Sequence, residues 1–450
     1  MESARDVELG RVTLAKITRR LIPFMFLLYI VAFLDRVNVG FAALQMNEDL
    51  GFSDAVYGLG AGIFFIGYFL FEIPSNLIME RVGARIWIAR IMFTWGIISA
   101  AMFLVTGPIS FYVLRFLLGI AEAGFFPGMI LYLTYWFPTR ERARRTALFM
   151  SAIPIAGVIG SPLSGFILSA SDEFAGLRGW QVMFLLEGIP AIILGFVVLR
   201  YLDNSPRQAE WLEPQEREWL KDALDRENRI KSNHGEYTTR QAMTNGKVWL
   251  LCAVYFGVVT SVYGISFWLP LIIEHLSGLG EFAVGLLTAI PYVAGAIGMV
   301  LFARHSDATG ERRWHVAIAA FVGTIGLVLT GLVQVSPVLE MVMLTIAALG
   351  IYSTLATFWS LPTAFLSGTA AAAGIALINS VGNLGGFVGP YAVGYLSDAT
   401  GTTYSGLLFL AALILVAGLL ALLVKHERSL EEVEEVIEST VGTTGTSPSG

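Results

Sequence analysis

The chain has 450 residues, 55% hydrophobic and only 14% charged, with a formal net charge of −6. Apolar runs near the roughly 20 residues that a helix needs to cross the hydrocarbon core recur from end to end, which identifies an integral membrane protein and excludes a soluble one. The negative balance gives no nucleic-acid footprint, and the single cysteine, Cys252, excludes an internal disulfide and any cysteine-rich metal cluster, so no metal or cofactor is expected.

Twelve segments read as membrane-spanning helices: 21–44, 55–78, 86–106, 109–136, 146–169, 181–202, 247–272, 282–303, 314–335, 338–361, 371–396 and 405–425. The polar residues before the first lack the short apolar core and cleavage site of a signal peptide, so that helix is expected to stay in the membrane. Arg5, Arg11, Lys16, Arg19 and Arg20 precede it. Arg81, Arg85 and Arg90 follow the second span, Arg140, Arg142, Arg144 and Arg145 the fourth, Arg304, Arg312 and Arg313 the eighth, and Lys425 and Arg428 the twelfth. Nine more basic residues lie in 200–247, whereas the opposite loops keep only Arg178. The positive-inside rule then places both termini in the cytoplasm.

Along the chain, the first span carries Asp35 and Arg36 in LYIVAFLDRVNVGFA, and the fourth carries Arg115 and Glu122 in FYVLRFLLGIAEAGFFPG. An ionised side chain at bilayer depth costs at least about 2.5–3.5 kcal/mol, so such groups usually face a partner or a watery cavity. Arg115 and Glu122 share a helix face about two turns apart. Asp35 and Arg36 are about 100° apart around theirs and cannot point the same way. Glu72 in FLFEIPSN and Glu187 in FLLEG lie nearer span ends and read as structural. None of the five histidines lies centrally in a span.

Segment 203–245 is the long hydrophilic stretch between spans. Pro214, Trp219, Leu220 and Leu224 within it suggest a short amphipathic helix on the membrane surface. It divides the chain into an amino-terminal six-helix bundle (1–202) and a carboxy-terminal one (246–426), followed by a tail (427–450) that is acidic and then disordered. Internal repetition supports the division. Glu80, Gly83 and Arg85 after the second span recur as Asp307, Gly310 and Arg312 after the eighth. Gly157, Gly160 and Pro162 of the fifth span recur as Gly386, Gly389 and Pro390 of the eleventh, and these glycines read as sites of close helix packing. Parallel repeats of this kind are a transporter signature, with the substrate site near the midplane between them.

These residues resemble the major facilitator superfamily. Its cytoplasmic signature, Gly-x-x-x-Asp-Arg-x-Gly-Arg-Arg, is matched by Asn76-Leu-Ile-Met-Glu80-Arg81-Val-Gly83-Ala-Arg85, with Asn76 in place of Gly. Within it, AFLDRVNVGFA, FFIGYFLFEIPSN, RFLLGIAEAGFFPG and LYLTYWFP look like the anion:cation symporter family, closest to tartrate-type organic-acid carriers. The resemblance implies an all-α fold of two six-helix bundles that moves small organic anions such as sugar acids, dicarboxylates or aromatic acids, typically with protons. It also implies a membrane Asp-Arg pair at Asp35 and Arg36, a second-span tyrosine at Tyr68, Arg115 and Glu122 in the fourth span, and Asn383 in the eleventh. Where some relatives have tyrosine two positions before the Asp, this chain has Phe33.

An anionic substrate needs a fixed cation, and the planar fork of arginine suits a carboxylate. Arg36 is the expected principal ligand, with Arg115, Tyr68, Trp359, Ser360, Asn379 and Asn383 lining the site. Asp35 and Glu122 are the expected proton carriers. Glu80, Arg81 and Arg85, with Asp307 and Arg312, form the expected gate. The resulting expectation is a monomeric proton-coupled symporter whose partners are a small organic anion, protons and the lipid bilayer. A sodium-coupled or exchange carrier of the same fold, or a transporter-like sensor, are the alternatives. No nucleophile with a positioned base or phosphate loop points to an enzyme.

Overall fold

In hydrocarbon each segment has to satisfy its own backbone N–H and C=O groups, which leaves helices or closed barrels. The computed structural model describes residues 4–171, 174–233, 244–332, 336–363 and 368–424, and among them it is helical almost throughout. Eleven helical stretches are long and apolar enough to cross a membrane: Glu8–Leu50, Asp54–Val82, Ala84–Leu104, Pro108–Trp136, Leu148–Ala170, Gly179–Tyr201, Gly246–Ser277, Glu281–Thr309, Arg313–Leu332, Pro337–Pro362 and Tyr404–Leu422. The expected eleventh span is present as two helices, Gly368–Asn383 and Gly385–Thr400, each 16 residues long. Leu384 between them keeps helical dihedrals (φ −62°, ψ −25°), so the second piece continues the first and completes twelve spans.

The spans form two bundles. In each, two spans pack together on the flank: the third against the sixth, and the ninth against the twelfth. Their outer faces show Ile97, Ile193, Phe196, Ile325 and Leu419 to the surroundings, as lipid contact requires. Because lipid is as apolar as leucine, association inside depends on close approach of backbones. Gly389 meets that need, since a Cβ there would lie 2.3 Å from the Thr260 carbonyl oxygen.

The halves meet along two symmetry-related seams, second span on eleventh and fifth on eighth. At the end carrying residues 50–55 both seams are drawn tight. A Cβ on Gly394 would sit 2.1 Å from the Asp54 carbonyl oxygen, and a Cβ on Gly165 2.5 Å from that of Glu281. The Ala55 N–H donates to Asp398 across the seam at 3.0 Å, and the Gln45 amide to Glu281 at 3.1 Å.

At the opposite end, the first span begins well before its apolar run as helix Ala4–Val37, and helix Pro214–Asn233 packs against it. Lys16 Nζ lies 2.9 Å from Glu216, Arg20 stacks on the rings of Tyr201 and Trp211, and Trp219 covers Gly10. Leu220 is fully buried. The apolar face of this helix is therefore spent on the first span rather than on the membrane surface. The tail 427–450 and residues 234–243 lie outside the described residues.

Candidate functional site

The fourth span is interrupted at the level of its acid. Helix Pro108–Glu122 ends on Glu122, Ala123 turns extended (φ −53°, ψ 132°), and Gly124 takes a left-handed conformation (φ 84°) before helix Phe125–Trp136 resumes. Glycine is required there on two counts, the positive φ and a Cβ that would lie 2.3 Å from Ser75 Oγ. The break leaves the Glu122 carboxylate beside the partly negative end of a half-helix, an attractive spot for a cation.

Arg36 fills it. Its Nη2 donates to Glu122 Oε1 in an enclosed ion pair, and its Nη1 donates to the Tyr263 hydroxyl of the seventh span at 2.7 Å. The guanidinium centre lies 5.4 Å from the rings of both Phe64 and Tyr68. Phe33 closes another side, its ring centre 6.5 Å from that of Tyr263. Arg36 is 5% exposed, Asp35 1% and Glu122 0%, so this conformation seals the groups from solvent.

Arg115 is used differently. A Cβ on Gly119 would come within 1.9 Å of the Phe64 carbonyl oxygen, so the fourth span presses directly on the second. Arg115 then reaches across, Nε donating to the Gly60 carbonyl at 3.2 Å and Nη2 to that of Ala61 at 3.0 Å. The guanidinium clamps two spans of one half and is wholly buried.

Asp35 turns away from Arg36, as the helical geometry requires, and accepts from Trp95 Nε1 of the third span at 2.7 Å. Asn379 and Asn383 meet Glu72, the acid read as structural. Asn379 Nδ2 donates to Glu72 Oε1 at 2.6 Å, and Asn383 Nδ2 and Ser380 Oγ approach Oε2 at 3.4 and 3.5 Å. Glu72 thus joins the second span to the eleventh across the gap between halves. Trp359 stands edge-on to Tyr255, ring centres 4.8 Å apart, and Ser360 Oγ donates to the Thr357 carbonyl at 2.6 Å. Sequence reasoning did not single out Tyr263, which contacts Arg36, and read Glu72 as structural. Glu72 carried the signal of an acid within an apolar run, whereas an isolated tyrosine in an apolar helix carries none.

Glu80, Arg81 and Arg85 lie exposed where the second span leaves the bundle. The Arg85 backbone N–H is held by Asn204 Oδ1 at 2.9 Å. In the second half, Arg312 Nη1 lies 3.6 Å from Asp307 Oδ1.

Residues 25–390 and 278–445 match the model of the Major Facilitator Superfamily. The chain belongs to that superfamily. A putative tartrate transporter of Agrobacterium vitis is 53% identical over 92% of this chain and 94% of that one. A putative metabolite transport protein of Pseudomonas putida, NicT, is 46% identical over 91% and 94%. Among solved structures the fold is similar to a bacterial homologue of the human lysosomal transporter Spinster in its inward-facing, occupied conformation, with a TM-score of 0.73 at 18% identity over 90% of this chain and 96% of that one. The two-bundle architecture is thus the major facilitator fold, and the chain is a multi-pass membrane transporter rather than an enzyme.

Proposed function

We propose that this protein is a proton-coupled symporter importing a small organic acid, with tartrate and related hydroxydicarboxylates the first candidates. It works as a monomer in the bacterial cytoplasmic membrane with both termini in the cytoplasm. The observation that carries the reading is the sealed Arg36–Glu122 pair, set between the two halves with Tyr263 reaching Arg36 from the other side. The names of the relatives at 53% and 46% identity support the substrate class.

In this reading Glu122 masks the anion site. A proton on Glu122 removes the charge that holds Arg36, and the freed fork takes the substrate carboxylate, bidentate and charge-assisted. Asp35 takes up a second proton behind it. Tyr68, Trp359, Ser360, Asn379 and Asn383 orient the rest of the molecule, while Arg115 holds the second span in place beneath them. Glu80, Arg81 and Arg85 with Asp307 and Arg312 latch the cytoplasmic ends in one state and release them in the other, and the halves rock about the site by alternating access.

Proteoliposomes with an inward pH gradient, offered tartrate, sugar acids, dicarboxylates and aromatic acids, test the reading through internal acidification and label uptake. Glu122→Gln should lose uphill accumulation and Arg36→Ala substrate binding. Full gradient-driven accumulation by Glu122→Gln would remove that acid from coupling, and unchanged affinity of Arg36→Ala would move the anion elsewhere. Dependence of wild-type uptake on sodium at fixed pH would replace proton symport by sodium coupling.

A further inference from the structure

Inside the amino-terminal half, behind the Arg36–Glu122 pair, four spans turn polar side chains toward one enclosed point. The first supplies Asp35 and Asn38, three residues apart and so on one helical face. The third supplies Trp95 and Ser99, the fifth Ser164 and the sixth Glu187, and none of these six is more than 4% exposed. One oxygen of each carboxylate is satisfied, Asp35 Oδ2 by Trp95 Nε1 at 2.7 Å and Glu187 Oε1 by Ser164 Oγ at 2.7 Å.

Among the described residues the remaining polar atoms, Asp35 Oδ1, Glu187 Oε2, Ser99 Oγ and both amide atoms of Asn38, make no hydrogen bond of good geometry. Ser99 lies beside Asp35 and Asn38 beside Glu187, and the two carboxylates are within electrostatic reach of each other. Glu122 of the fourth span is the other acid facing Asp35. The nearby cation, Arg36, is engaged with Glu122, which leaves Asp35 and Glu187 without an ion-pair partner among the described residues.

Orphan polar atoms at this density in one buried place are what ordered water satisfies, at about three hydrogen bonds per molecule. Two ionised carboxylates without a cation in so dry a site repel strongly, and a single proton between them removes the repulsion while adding a donor. We propose that Asp35 and Glu187 form a water-bridged, proton-holding carboxyl pair, with Asn38 and Ser99 completing its shell. Glu187 is then a third proton-coupling residue beside Glu122 and Asp35, set apart from the anion site. The inference rests on the proton-symport reading and extends it to a residue on the sixth span.

The test uses the full-length protein in lipid vesicles. Infrared difference spectra against pH should show a protonated-carboxyl C=O band whose midpoint moves by a pH unit or more in Glu187→Gln and in Asp35→Asn, and which is absent from the double variant. Glu187→Gln keeps an oxygen for Ser164 to donate to, so the fold is retained. With tartrate as probe, pH-driven accumulation should fall at least tenfold in Glu187→Gln, further than counterflow exchange does, and recover in part in Glu187→Asp. A midpoint unmoved by Glu187→Gln overturns the pair. So does the absence of the band together with sodium-dependent accumulation, which would make the cluster a sodium site. A wild type that ignores the pH gradient but shows the shifting band refutes proton symport while leaving the carboxyl pair standing.

Discussion

Glu72 offers the sharpest test of how the halves are held together, because its carboxylate belongs to the second span and its partners, Asn379, Ser380 and Asn383, to the eleventh. Glu72→Ala removes all three contacts. The contacts at 3.4 and 3.5 Å are at the edge of hydrogen-bond geometry and add little, so the 2.6 Å bond from Asn379 carries the value. A hydrogen bond contributes about 0.5–1.5 kcal/mol net between neutral groups and about 1.5–3 kcal/mol where one partner is charged. That is lost from the conformation in which the halves touch here and not from one in which they part. At about 1.4 kcal/mol per factor of ten, the population of the parted state should rise roughly 2–150-fold. Hydrogen–deuterium exchange in lipid reads this directly, since helix Gly368–Asn383 should exchange faster by a similar factor. Asn379→Ala should give the same acceleration, and the double variant no more than either single, because both remove one interaction. Unchanged exchange in Glu72→Ala, or fully additive effects in the double variant, would refute the idea that this contact bridges the halves.

Arg115→Lys keeps the charge but loses the fork that spans the Gly60 and Ala61 carbonyls, so it should cost about 1.5–3 kcal/mol, read as a lower melting temperature with substrate affinity retained. Unchanged melting with lost affinity would instead make Arg115 an anion ligand. Gly394→Val places a side chain against backbone that cannot yield, and overpacking of about 1–3 kcal/mol should hold that end apart and cut uptake about 5–150-fold while the protein stays monodisperse. Wild-type uptake by this variant would mean that the seam need not close.

How far the sequence reached depended on whether a signal is local. Apolar run lengths and basic loops gave the spans because bilayer thickness acts on each segment separately. The divergence of Asp35 and Arg36 followed from helical rotation alone, and the structure sends one to Trp95 and the other to Glu122. Glu72 was read as structural from its place near a span end, but its partners on the eleventh span, Asn379, Ser380 and Asn383, lie about 300 residues away and carry no local signal. Arg115 shows a different limit. Its depth was legible, but whether a buried guanidinium meets a carboxylate or two carbonyls depends on how closely Gly119 lets the neighbouring span approach. The hydroxyl of Tyr263 against Arg36 depends on packing between distant segments, which a single sequence does not display.

In the mechanism proposed here, coupling follows from the fact that Arg36 has one partner in each half. Glu122 ties it to the amino-terminal bundle and Tyr263 to the carboxy-terminal one. Neutralising Glu122 weakens the first tie far more than the second, because an ion pair loses its charge attraction whereas a phenol acceptor keeps its dipole. The guanidinium is then held mainly from across the gap, where an anion bound to it touches both halves at once. Without the proton, Arg36 stays with Glu122 and the substrate has nothing to bridge. Proton and anion therefore act on the same side chain, so that neither crosses readily without the other.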